Sequence, residues 1–103
     1  MKEKQYAESK ELIYNLMNGT YDLDHYPVPA SQIVENEFEE GKTCADCYRK
    51  VFDANQRLCE RLGTGEDSDI ECIINNMYDI AHVLCLKMFD YGVRWKELEK
   101  YIE

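Results

Sequence analysis

The stretch IECIINNMYDIAHVLCLKMFDY, residues 70–91, decides the fold of this chain. Ile70, Ile73, Ile74, Met77, Tyr78, Ala81, Leu84, Cys85, Met88 and Tyr91 recur in steps of three and four, the period of an α-helix, over about six turns. It is the strongest periodic signal in the sequence and predicts a long central helix. Ser68 followed by Glu71 has the spacing of an N-cap and its acidic N3 partner. Asp67, Asp69 and Glu71 also put negative charge where the helix dipole is positive. Gly92 offers a stop, yet Trp95, Leu98, Tyr101 and Ile102 keep a similar spacing, so a bent continuation and a short fourth helix are both open.

Working outward, Gly63 supplies a left-handed stop and Thr43 with Asp46 a capping pair, which together predict a second helix from Cys44 to Leu62. Its apolar stripe is Cys44, Cys47, Tyr48, Val51, Phe52, Leu58, Cys59 and Leu62. A first helix from Glu3 to Met17 carries Tyr6, Leu12, Ile13, Leu16 and Met17 on one face and stops at Gly19. Between them lies TYDLDHYPVPASQIVENEFEEG, residues 20–41, with both prolines, Pro27 and Pro29. A connector of this length packs or binds something. Tyr21, Leu23, Tyr26, Val28, Ile33, Val34 and Phe38 are expected to lay it on the helices. No segment alternates with period two between turn residues, so no strand is expected. The reading is an all-α chain: a small helical bundle of three main helices, a long proline-containing connector after the first, and an open choice at the C-terminus.

Length and composition agree. With 103 residues the chain is expected to form a single domain, 1–103. Its 45% hydrophobic and 32% charged residues give a globular balance. No apolar run approaches the roughly 20 residues of a membrane span, and Met1-Lys2-Glu3-Lys4 leads into a charged amphipathic stretch rather than a signal sequence. Five cysteines cannot all pair within one chain, which points to a reducing compartment and a cytoplasmic location. The net charge of −9 disfavours direct binding to nucleic acid or anionic membrane and favours a protein partner with a basic surface.

Four constellations could carry chemistry. Cys44-Ala-Asp-Cys47 has CxxC spacing, but zinc needs a second pair of ligands and a thiol-exchange motif normally follows a strand. These cysteines therefore read as small apolar residues of a helix face buried in the core, with no metal and no cofactor. Glu37 with Glu40 and Glu66 with Asp69 match the ExxE and ExxD pairs with which all-helical nucleotide pyrophosphohydrolases hold magnesium. Neither pair is mid-helix, so that metal-dependent activity ranks below the other readings. Ser9, Ser31 and Ser68 lie in no nucleophile turn and there is no glycine-rich phosphate loop, so the chain reads as non-enzymatic, with no catalytic residues. The fourth constellation is charge. Asp22, Asp24, Glu35, Glu37, Glu39 and Glu40 occupy residues 20–40 without a Lys or Arg, interleaved with Tyr26 and Phe38. With eight tyrosines in the chain, this stretch is the expected partner-binding surface.

At LIYNLMNG (12–19), VENEFEEGKTCADCYRKVFDANQRLCERLG (34–63) and INNMYDIAHVLCLKMFDYG (74–92) the sequence resembles a family of short, uncharacterised helical proteins from Firmicutes genomes and their phages. The resemblance implies an all-α architecture and a mobile-element setting, and it carries no functional residues. Members of that family often lack a CxxC at the start of the second helix, which counts further against metal. Two expectations result. The first is an acidic module that binds a nucleic-acid-binding host-defence protein as a phage-encoded, anti-CRISPR-like inhibitor. The alternative is a self-associating structural protein, a homodimer that buries an uncovered face of the central helix, with Trp95 and Tyr101 near the seam.

Overall fold

The computed structural model describes the backbone of residues 2–102 and the side chains of residues 6–102. The chain is all-α, with four helices and no strand among the described residues. They are α1 (Lys2–Met17), α2 (Thr43–Leu62), α3 (Ser68–Val93) and the single turn α4 (Trp95–Leu98). Short 3₁₀ turns occupy Pro29–Gln32 in the connector and Glu99–Tyr101 at the end.

The helix boundaries lie within a residue of the sequence expectation, but the capping residues shift by one. At α3 the cap is Asp67, whose carboxylate accepts the N–H groups of Asp69 at 3.0 Å and Ile70 at 3.1 Å. Ser68 is already helical. Aspartate wins because a charged acceptor also meets the positive end of the helix dipole. At α2 the cap position is Lys42, with no side-chain hydrogen bond, and Thr43 is the first helical residue. Both glycine stops hold. Gly63 has φ +72° and donates to the carbonyls of Cys59 and Glu60. Gly19, at φ +70°, donates to Leu16, after which Thr20 reaches back to Asn15. Helix α3 runs through Gly92, and Arg94, at φ −101° and ψ 22°, separates it from α4, so the short fourth helix is the outcome.

Helix α1 runs antiparallel along α3. Tyr6 meets the edge of Phe89 with ring centres 6.3 Å apart, Lys10 pairs with Asp90 at 2.9 Å, and Tyr14 stacks on His82 at 4.3 Å. The Glu11 carboxylate lies 3.3 Å from His82 Nε2. Helix α2 turns back through residues 63–67 and diverges from α3, leaving an open groove between them. The buried hydrophobic set is accordingly small: Leu16, Cys59 and Ile70. The radius of gyration is 17.6 Å, against about 13 Å for a compact domain of this length.

The connector is fastened at its far end. Glu37 donates its N–H to Met17 O at 2.8 Å, which closes residues 18–36 into a loop at the C-terminus of α1. Asn36 fills the space above Gly19 and accepts the Phe38 N–H at 2.9 Å. Leu23, Val28, Val34 and Phe38 are half-buried as expected. Tyr21, Tyr26 and Ile33 are not: they are exposed, Tyr26 and Ile33 to 75% and 87%, where the prolines bias the chain around them toward extended backbone.

Two pairs of substitutions test these local assignments. Asp67→Ala should lower the unfolding free energy by about 1 kcal/mol through loss of the cap, and Ser68→Ala should leave it nearly unchanged, both read by urea denaturation. Gly19→Ala should cost more than about 1 kcal/mol, since a Cβ at positive φ would also sit 2.5 Å from the Asn36 side chain, whereas Gly65→Ala meets open space and should be tolerated.

Candidate functional site

Two surfaces stand out: the acidic connector and the apolar groove. In the connector, Asp22 is exposed and turned toward His25, with its Oδ2 2.8 Å from Nδ1. Glu35 pairs with Lys42 at 3.3 Å. Asp24, Glu39 and Glu40 are exposed, and among the described residues they have no basic partner within salt-bridge distance. Glu37 is half-buried and is placed by its backbone bond to Met17. Tyr26 projects into solvent next to His25. All but the half-buried Glu37 thus stay exposed, with Asp22 in contact with His25 and Glu35 paired with Lys42.

Phe38 belongs elsewhere. Its ring meets the edge of Tyr48 at 6.3 Å and forms one end of the groove, so it faces apolar side chains rather than standing among the acids. The groove holds about 360 Å³ and is lined from α2 by Cys44, Cys47, Tyr48 and Val51, and from α3 by Ile73, Ile74, Met77, Tyr78 and Ala81. Most of these side chains expose much of their surface: Tyr48 51%, Ile73 64% and Met77 60%. Cys44 and Cys47 do lie on the apolar face of α2, but they are exposed rather than buried in a core, because α3 stands too far away to cover them.

The apolar stripe of α3 also continues past the groove. Ile80, Leu84, Met88 and Tyr91 are exposed along the same side, opposite the side that α1 covers. The sequence places Leu84, Met88 and Tyr91 in the periodic stripe, and the self-association alternative expects part of the central helix to stay uncovered. Ile80 is not in that stripe and widens it beyond what one neighbouring helix can cover. Trp95 and Tyr101 are exposed at the C-terminal end, where Tyr101 joins Tyr91, Arg94, Glu97 and Leu98 around a small recess.

Among the described residues, no three of the His, Cys, Asp and Glu side chains come together in a way that could hold a metal ion. Glu37 and Glu40 stay in the connector, while Glu66 precedes α3 and Asp69 lies in its first turn. Asp46, next to the cysteines, pairs with Arg49 at 3.0 Å. No helix among the described residues is long and apolar enough to cross a membrane.

Tyr78, on the wall of the groove, has its phenol pKa raised by partial burial and then by the nearby phenols of Tyr48 and Tyr14. Because the folded state disfavours the phenolate, this contribution to stability is fully present below the ordinary tyrosine pKa of about 10 and is lost as pH rises through the higher folded value. Ultraviolet titration of the folded protein should show a late-ionising tyrosine, and Tyr78→Phe should remove it.

No protein-family model matches the chain, and no curated protein or solved structure is significantly similar to it.

Proposed function

We propose that this chain is a non-enzymatic protein-binding module whose acidic connector engages a protein with a basic surface. The observation that carries the reading is the exposure of Asp24, Glu39 and Glu40, none with a basic partner within salt-bridge distance among the described residues: Asp24 lies within the loop that Glu37 closes onto Met17, and Glu39 and Glu40 follow directly after that closure. Fixing matters because a loop held in one shape presents its charges without a large ordering cost on binding. Asp22, Glu35 and Glu37 add charge along the same segment, and Tyr26 offers an aromatic contact with a polar tip. The partner that fits is a nucleic-acid-binding protein, since a groove built for phosphates also attracts an array of carboxylates.

Together with the resemblance to phage-borne helical proteins, this favours an inhibitor of a nucleic-acid-binding host-defence protein, working in the cytoplasm by occupying the groove. Such an inhibitor requires no metal, no cofactor and no catalytic residue. It reduces its target's activity by competition, so excess nucleic acid should displace it.

The test is affinity capture from a Firmicutes host lysate with the full chain and with the Asp24→Asn, Glu39→Gln, Glu40→Gln triple variant. The wild type should retain basic, nucleic-acid-binding proteins that elute as salt rises, because exposed charges are screened beyond about 8 Å at physiological ionic strength. The triple variant should retain at least about tenfold less, each lost charge contact being worth up to about 1 kcal/mol. Capture that is indifferent to both salt and the three substitutions would refute the reading.

A further inference from the structure

The exposed apolar residues of α3 are arranged symmetrically about the middle of the helix. Met77 and Leu84 stand three residues either side of the Ile80–Ala81 pair, and Ile73 and Met88 lie four residues further out. Their exposures are 60%, 63%, 64% and 73%. A stripe that reads alike in both chain directions is the mark of a surface that can meet itself across a two-fold axis.

We propose that this stripe docks a second copy of the same chain, α3 against α3 in antiparallel register, with the two-fold axis passing between Ile80 and Ala81. In that register Ile73 of each copy meets Met88 of the other, and Met77 meets Leu84. The three- and four-residue spacing is the one that lets side chains of two helices interdigitate along a seam. Helix α2, whose Tyr48 and Val51 face the same groove, flanks the seam in each copy, so the two α2–α3 hairpins close into a four-helix bundle. Helix α1 lies on the far side of α3 and does not obstruct the approach.

Area and charge agree with a second copy. The chain exposes 8754 Å², whereas a compact monomer of 12.2 kDa exposes about 6,100 Å², a surplus of about 2,700 Å² per chain. Covering that surplus on two chains would hide about 5,400 Å², and half of it is still on the scale of obligate homodimers, ~2,000–5,000 Å². The antiparallel register also sets the N-terminus of each α3 beside the C-terminus of the other, opposing their dipoles favourably. The acidic connector lies outside the seam, so the dimer would display two of them.

Sedimentation equilibrium of the full chain at tens of micromolar should give about twice the 12.2 kDa chain mass. Leu84→Glu, at a side chain the monomer leaves exposed, should keep the helical circular dichroism and raise the dissociation constant by about 100-fold or more, since it would bury unpaired carboxylates at the seam. Met77→Lys should do the same. The Met77→Lys, Leu84→Glu double variant should recover the dimer, because the antiparallel register pairs each lysine with the second copy's glutamate, whereas a parallel register sets like charges together. A wild-type monomer, a Leu84→Glu dimer of unchanged affinity, or a double variant no tighter than the singles would overturn the proposal. If a single variant fails to fold, the wild-type mass and the double variant decide. The connector triple variant, whose failure would bear only on the acidic-surface reading, should dimerise like the wild type.

Discussion

Helix α3 carries more apolar surface than the rest of the chain can cover, and the architecture follows from that imbalance. One side is used by α1 through Tyr6, Lys10 and Tyr14, which meet Phe89, Asp90 and His82. A second side looks across an open groove to α2. The third, from Ile73 to Tyr91, faces water with more than half of each large side chain uncovered. A fully buried side chain of this size contributes about 1.5–3 kcal/mol, so leaving five or six exposed forgoes much of the stabilisation that a small domain needs. Apolar surface on this scale is more than a small monomeric domain usually leaves to water.

The contact between α1 and α3 shows how little the monomer relies on a conventional core. It is built from aromatic edges and stacks, one ion pair and one histidine–carboxylate contact. The Lys10–Asp90 pair is partly exposed and is worth about 1 kcal/mol or less. Such a contact sets the direction of α1 more than it holds the molecule together. The α2–α3 hairpin is pinned chiefly near its turn, where Cys59 and Ile70 are buried, and it opens toward Cys44 and Cys47. The groove is thus a consequence of a hinge closed at one end only.

The connector matters for a different reason. Its return to Met17 and the packing of Asn36 over Gly19 fix the position of the acids without helical structure. The acidic surface and the apolar stripe lie on different elements, the first on the connector and the second on α3.

Much of this was legible in the residues. The periodicity of Ile70–Tyr91, the glycine stops at Gly19 and Gly63 and the acids before α3 fixed the helices to within a residue, because turn geometry and dipole effects act over a few neighbours. The exchange of Ser68 for Asp67 as the cap was not legible, since two cap-forming residue types stand side by side there; the preference for the carboxylate at the positive end of the dipole shows only once the first turn of α3 is placed. Nor was the fate of the connector aromatics: Phe38 went into the groove and Tyr26 into water, although they look equivalent in sequence. Sequence alone determined which residues are apolar and on which helical face, because the 3.6-residue period is a property of the backbone. Only the tertiary structure decided which of those faces are covered. Cys44, Cys47, Met77 and Leu84 look like core residues until the angle between α2 and α3 is known, and that angle is set by long-range packing that no local pattern encodes.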